Sequence, residues 1–494
     1  MPNPLVHFKN PLTVIVLAYL VVGTLYAALT PPWQVPDEPA HYNYVRYLAQ
    51  NRRLPVLQMG DYPHHYLEEI KAAKFPDTMS IDPIRYEFYQ PPLYYILAAV
   101  VYALFGGRLL PLRLLSVLFG AALLWVARRI VEEVFPHRKA LALGTAAFVA
   151  FVPMHVAMTA AVNNDALAEL ILAGVLWMLV RHVKEGGKEG ERRLVGVGVL
   201  MGLGLLTKAT TLVALPLAPF AAVASDLVHR PPERLDAGTL RRCLLPLGCC
   251  LLLALPWLVR NALVYGDCDV LGQRRHDAIV VGQPRTSEWL ARYGAAEVAR
   301  RFLLTTFRSF WAQFGWMGVP VDERIYLALA LLCLAAGLGL ILFVVKVFRQ
   351  PHLLTPFQRG ALALLALSFL LSLLSYLWYN AKFVQHQGRY LFPALVPIGL
   401  AFSLGLREVL AREGAKAMAV LFLAAASVLV VKGLATGDFN RLSIVALGGG
   451  AAAFAAKASL PSRYDGLAFA LPYLGLFALD LICLFGFIIP CLAS

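Results

Sequence analysis

Apolar runs of membrane-spanning length alternate with short charged loops along almost the whole chain. They lie near 11–30, 91–107, 109–129, 140–162, 165–183, 194–228 (a tight pair), 243–263, 324–345, 360–378, 390–406, 417–433, 442–457 and 466–489. Since about 20 apolar residues cross the hydrocarbon core, the pattern predicts about 13 transmembrane helices. Lipid offers no partners to backbone N–H and C=O groups, so each span must close its hydrogen bonds internally. The expected fold is therefore an all-α polytopic membrane protein. Two polar intervals are long. The first, 31–90, predicts short helices near 38–51 and 64–75 lying along the membrane surface. The second, 264–323, carries Trp289, Tyr293, Phe302, Phe307, Phe310, Trp311 and Trp316, with arginines at 292, 300, 301 and 308, and predicts an interfacial amphipathic helix over 287–311. The first apolar run reads as a retained span, because it is long and no clear small-residue cleavage site precedes the polar segment after it.

Composition agrees with the pattern. Hydrophobic residues make up 59% of the 494, against about 45–50% in soluble domains. The formal net charge of +14 would suit nucleic acid, but its placement argues otherwise. Basic residues gather in short loops: Arg128–Arg129, His137 to Lys139, Lys184 to Arg193, Arg230 to Arg242, Lys346 to Arg359 and Arg407 to Lys416. This is the positive-inside pattern of an integral membrane protein, expected in a bacterial or archaeal plasma membrane and with no nucleic-acid partner. The alternation puts 31–90, Asn163 to Asp165, Lys208, 264–323, 379–389 and the C-terminus outside. One inconsistency remains. If 91–107 and 109–129 both cross, the basic residues His137 to Lys139 fall outside as well, so one of the two segments is re-entrant or has different boundaries. The seven cysteines show no metal-site spacing and read as unpaired packing residues.

Polar groups near apolar spans are costly and point to function. The most informative stretch is Trp33-Gln34-Val35-Pro36-Asp37-Glu38-Pro39-Ala40-His41, directly after the first span. Two adjacent carboxylates at the membrane boundary suit a base for a hydroxyl, or simply an acidic helix N-terminus. Gln90-Pro91-Pro92-Leu93-Tyr94 opens the next apolar segment, as a helix start or as part of a site. Asn164 and Asp165 stand between two spans, where Asp165 either caps a helix or binds a sugar hydroxyl, a metal or a lysine. Lys208, alone between apolar helices, needs an anion: a lipid headgroup or a substrate phosphate. Arg260 ends a span at the outer face, against the charge bias. Arg389-Tyr390 opens a span there too, after Gly388, and a guanidinium suits phosphate. His41, His64 and His65, with the carboxylates, leave a divalent metal open, although their spacing matches no strong metal motif.

The order of these motifs resembles the GT-C superfamily of integral-membrane glycosyltransferases, in its polyprenyl-phosphate-sugar-dependent branch of protein O-mannosyltransferase-like and aminoarabinose-transferase-like enzymes. The resemblance runs over residues 10–400 and rests on Asp37-Glu38, Pro91-Pro92-Leu93-Tyr94, Asp165, Thr207-Lys208, Pro256-Trp257 with Arg260-Asn261, and Arg389-Tyr390 with Pro393. It implies an inverting glycosyltransferase acting on the extracytoplasmic side. The implied donor is a polyprenyl-phosphate sugar and the acceptor is a hydroxyl of a glycan, lipid or protein. Asp37, with Glu38 sharing or replacing it, takes the catalytic position. Arg389, Lys208 and Arg260 take the lipid phosphate, and Asp165, Asn164, His41, Gln90 and Tyr390 line the substrate site. Some relatives carry a basic residue where this chain has Gln90, which shifts weight to the other cations. No cofactor is required by the resemblance. Residues 1–410 form the expected catalytic module and 411–494 a set of C-terminal transmembrane helices. The competing expectation is a lipid or glycolipid transporter whose polar residues line a pathway.

Overall fold

The computed structural model describes residues 11–229 and 237–493, without the side chains of 187–189. Residues 1–10 and 494 of the expected modules, and 230–236 of the basic stretch 230–242, lie outside the described residues. Among the described residues, 11 helices are long and apolar enough to cross a membrane, or 12 if the bent pair Lys139–Ala150 and Pro153–Thr159 is one span. The only strands there are a two-residue ladder, Gln313–Phe314 against Val319–Pro320. Among the described residues the fold is almost wholly helical, that of a polytopic membrane protein. Large apolar side chains such as Leu263, Phe348 and Trp378 stand exposed on the helix exteriors, where lipid covers them.

Three departures from the expected spans shape the site. The 91–107 run is not a span. Its helix, Leu93–Leu104, has 12 residues, about 18 Å at 1.5 Å per residue, too short for a core of about 30 Å. Pro91 and Pro92 delay its start, and Gly106 and Gly107, both with positive φ, end it. This removes the inconsistency in the charge alternation in favour of the charges. The 140–162 run is two helices that meet at a 64° bend at Phe151 and Val152, where Pro153 withholds an amide hydrogen. Finally, Gly187–Leu205 carries charges through its first turns. It must nonetheless return the whole length of Asp165–Glu185, because Lys208 ends beside Asp165 at 2.5 Å. It adds one further crossing.

The first outer interval holds helices Glu38–Asn51 and His64–Ala72, close to the expected bounds. The second holds Gln273–Ile279, Thr286–Tyr293 and Ala295–Trp311, so the interfacial helix predicted over 287–311 is two helices broken at Gly294. These intervals meet at one end of the bundle. Trp316 Nε1 donates to the Trp33 carbonyl at 3.0 Å, and Val384 N to the Pro284 carbonyl at 3.0 Å. Lys74 Nζ reaches the Ala493 carbonyl at 3.3 Å, which brings the C-terminal end to the same face. The last helical segment packs into the bundle: Tyr26 donates to the Asp480 carbonyl at 2.8 Å, and Ser403 and Tyr473 bond at 2.7 Å.

Candidate active site

The segment joining the first span to Glu38–Asn51 turns sharply, with Trp33 (φ 66°) and Asp37 (φ 69°) in the left-handed region. A non-glycine residue held there is strained, and such strain concentrates at functional sites. Asp37 occupies the helix N-cap position but makes no side-chain cap. Its carboxylate turns away to other partners. Oδ2 meets an Arg389 guanidinium nitrogen at 2.6 Å, and Oδ1 accepts from the Tyr86 hydroxyl at 2.8 Å. Burial alone would raise the Asp37 pKa. The Arg389 charge, with help from His41 and the two hydrogen bonds, overcomes burial and holds it down at about 2.

Arg389 arrives from the far end of the chain. Gly388–Ala394 is a 3₁₀ turn that opens the Leu395–Leu410 helix. A Cβ at Gly388 would run into the backbone of Thr306 and Phe310, so glycine allows the Ala295–Trp311 helix to lie directly on this turn. Arg389 is buried, with Nη1 against Met158 Sδ at 3.7 Å and Tyr390 beneath its guanidinium at 5.4 Å.

A second ion pair stands beside the first. Lys208 Nζ meets Asp165 Oδ1 at 2.5 Å. The anion that Lys208 requires is thus the protein's own carboxylate in this state. Asp165 caps no helix; its amide is held by Asn163 Oδ1 at 2.7 Å. Asn164 bonds the Thr207 carbonyl at 3.1 Å and Gln90 Oε1 at 3.4 Å, and Gln90 Nε2 donates to the Tyr89 hydroxyl at 3.1 Å. His41 bonds the Tyr95 hydroxyl at 2.7 Å. Its pKa is lowered, first by burial and then by Lys208, against the pull of Glu87, Asp37 and Asp165. Glu87, Lys208, Asp37 and Asp165 thus all lie within electrostatic reach of one imidazole, and Arg389 within reach of Asp165. Asp37, His41, Gln90, Asn164, Asp165, Lys208, Arg389 and Tyr390 lie at one end of the bundle, linked by these contacts.

Three expectations need correction. Glu38 does not share the open position of Asp37. It is fully buried, and both its oxygens are engaged: by Arg113 at 2.7 and 2.6 Å, by the Trp33 amide at 3.1 Å and by the Val162 amide at 3.2 Å. Arg113 in turn holds the carbonyls of Ala27 and Thr30 at 2.9 and 2.7 Å. This closed network welds the end of the first span to the turn that presents Asp37. Arg260 does not join the cluster either. It holds the Pro55 carbonyl at 2.5 Å and lies over Trp257 and Tyr265, so it fastens the first outer loop. Nor do the histidines converge. His64 packs on Tyr62, and among the described residues no three His, Cys, Asp or Glu side chains are placed to hold a metal ion.

Several contributors had little or no signal in the sequence. Arg113 had a signal, since it is a charge just inside a span at the outer end. Tyr86 and Glu87 sit in a loop and had none. His155 and Glu169 form a buried pair at 2.9 Å behind the site, with Glu169 one helical turn beyond Asp165. The His276 ring lies tilted against Tyr89 with centroids 4.6 Å apart, and Asp277 is paired with Lys382. The Gln273–Ile279 helix is thus fastened to Tyr89 and to the end of the Pro356–Lys382 helix.

Comparison with known proteins fits this geometry. Residues 89–258 match the model of the dolichyl-phosphate-mannose-protein mannosyltransferase family. The structure is similar to that of ArnT from Cupriavidus metallidurans bound to undecaprenyl phosphate, with a TM-score of 0.55 at 17% identity, over 96% of this chain and 76% of that one. Weaker likenesses extend to the oligosaccharyltransferase AglB from Archaeoglobus fulgidus (TM-score 0.46, 14% identity, 96% of this chain and 56% of that one). The Pmt1–Pmt2 protein O-mannosyltransferase of S. cerevisiae is also similar (TM-score 0.37, 12% identity, 52% and 34%). Comparison with the curated proteins finds no match.

Proposed function

Because this chain has the GT-C fold of integral-membrane glycosyltransferases, we propose that it transfers a sugar from a polyprenyl-phosphate donor to an acceptor hydroxyl, with inversion, on the extracytoplasmic side. The observation that carries this reading is the pairing of two carboxylates with two cations, Asp37 with Arg389 and Asp165 with Lys208, in one pocket at the end of the bundle.

The resting geometry supports one order of events. With a pKa near 2, Asp37 is a poor proton acceptor while Arg389 holds it. A donor phosphate offers Arg389 a stronger anionic partner with two oxygens for its fork of N–H groups. Phosphate binding exchanges that partner, and Asp37 is freed at the moment the donor arrives. The acceptor hydroxyl then attacks the anomeric carbon and its proton passes to Asp37. The carbon–oxygen bond to phosphate breaks, and polyprenyl phosphate leaves with the electron pair. Arg389 and Lys208 stabilise the charge that develops on the leaving oxygen. Glu38 and Arg113 do not touch the reacting atoms; they set the turn that aims Asp37. The Gln273–Ile279 helix, packed on Tyr89 through His276, helps to keep water from competing with the acceptor.

The test is transfer of radiolabel from a panel of undecaprenyl-phosphate sugars by purified protein in detergent, with a crude membrane extract as acceptor source. The wild type should transfer at least one sugar, and Asp37→Asn should be slower by at least about 100-fold. Full transfer by Asp37→Asn overturns the assignment. Lipid movement between leaflets without transfer would favour the transporter reading instead.

A further inference from the structure

Three buried polar atoms around this pocket have no hydrogen-bond partner: Glu87 Oε2, Asn164 Oδ1 and Arg389 Nε. Their residues are 8%, 0% and 7% exposed. Buried polar atoms are nearly always paired, so three in one place mark an unfilled requirement. One network of contacts joins their surroundings, since Tyr86, next to Glu87, bonds the Asp37 carboxylate that holds Arg389. Asn164 bonds Gln90, and the Gln90 amide closes a turn on the Glu87 carbonyl at 3.0 Å. Glu87 and Asp37 both act electrostatically on His41 and Tyr379, and Arg389 is bound to Asp37. Glu87 also differs from its neighbours. Asp37, Glu38, Asp165 and Asp277 each face a cation, whereas Glu87 joins no ion pair found among the described residues.

The three atoms describe their ligand. Two are acceptors and need donors, and the third is a charged donor that needs an anionic acceptor. A small cation would serve Glu87 and repel Arg389. Free phosphate would serve Arg389 and be repelled by Glu87. A phosphate ester bearing several hydroxyls serves all three. The walls agree, because Glu87 lies within electrostatic reach of the Tyr89 and Tyr379 rings, and Tyr379 packs edge-on to Tyr390 at 5.6 Å. Aromatic walls with a few convergent polar groups suit an amphipathic ring.

Resting on the transferase reading above, we infer that Glu87 and Asn164 are the sugar-binding residues, each accepting a hydrogen bond from a hydroxyl of the glycosyl unit while Arg389 Nε turns to its phosphate. Glu87 thereby becomes the group that decides which sugars enter.

The experiment compares binding of bare undecaprenyl phosphate with undecaprenyl phosphate carrying glucose, galactose, mannose or arabinose, read by thermal shift and titration of the purified full chain. The wild type should bind at least one glycosylated lipid about tenfold more tightly than the bare one. Glu87→Ala should lose that increment while binding the bare lipid more tightly than the wild type does, because the carboxylate that repels phosphate is gone. The isosteric Glu87→Gln keeps one acceptor oxygen, so it should retain part of the increment and change the ranking of the sugars. An undiminished increment in Glu87→Ala overturns the inference, and so does a wild type that binds bare and glycosylated lipids equally. Failure of the wild type to bind bare undecaprenyl phosphate is a different result, and it overturns the phosphate site together with the subsite built on it.

Discussion

Asp37 and Arg389 are 352 positions apart, yet Asp37 Oδ2 and an Arg389 guanidinium nitrogen meet at 2.6 Å. The contact ties the turn after the first span to the start of a late helix. It also sets the resting state of the pocket, because the strongest candidate base and the strongest candidate phosphate ligand neutralise each other until something displaces one of them. Stability and chemistry at this site are therefore linked, and the link can be measured.

The sign of the pH dependence follows from the direction of the Asp37 shift. Its folded pKa, near 2, lies below the ordinary value of 3.8, so the unfolded chain takes up the proton first as pH falls. The stabilisation from the Asp37–Arg389 pair is fully present above about pH 4 and is lost as pH drops toward 2. Thermal unfolding in detergent across pH 2–6 should show a steeper acid loss in the wild type than in Asp37→Asn. Identical profiles would show that the pair contributes nothing to stability.

Glu38 and Arg113 should separate stability from chemistry. Their pair is closed to solvent, with the side chains 0% and 2% exposed. Removing one partner leaves a buried charge uncompensated, which costs about 3–5 kcal/mol. Arg113→Met and Glu38→Gln should each lower the unfolding temperature far more than Asp37→Asn does, and the double variant should recover part of the loss. A double variant no more stable than either single one would count against direct pairing.

Gly388 places Arg389, and a methyl group there collides with the backbone of Thr306 and Phe310. Overpacking of this kind costs about 1–3 kcal/mol, and here it also shifts the neighbouring guanidinium. Gly388→Ala should weaken binding of bare undecaprenyl phosphate. Gly475→Ala, at a glycine with open space where the Cβ would go, is the control and should leave it unchanged.

Orientation has a direct test in Cys268, a free and exposed thiol in the second outer interval. A membrane-impermeant maleimide added to intact cells should label Cys268, and Cys268→Ser should lower the label to the share carried by Cys491. Cys491 is also free and exposed and lies at the same end of the bundle, so it should label with it. Labelling only after the cells are broken would place the pocket inside.

Much of this protein is legible in its sequence, because a membrane imposes strong local rules. Long apolar runs must be helices, and loop charges state which ends of the bundle lie together. That was enough to reveal helices in the first outer interval, and to bring Asp37, Asp165, Lys208 and Arg389 to one face of the bundle. The charges also showed that 91–107 and 109–129 could not both be full spans within those bounds, and the 12-residue helix identifies 91–107 as the one that is not.

Adjacency within that face was not legible. Nothing local distinguishes Asp37 from Glu38, since both follow Pro36 at the same helix start. A left-handed backbone at Asp37 turns its carboxylate toward Arg389, while the next residue swings Glu38 onto Arg113. Arg260 and Arg389 likewise look alike in sequence, one at a span end and one at a span start. Only the packing of distant segments shows that Arg260 fastens a loop and Arg389 faces the carboxylate. Hydropathy and charge bias are sums over many residues and survive in one dimension. Which carboxylate meets which guanidinium depends on ångström-scale packing between segments hundreds of residues apart, and the tertiary structure alone decides it.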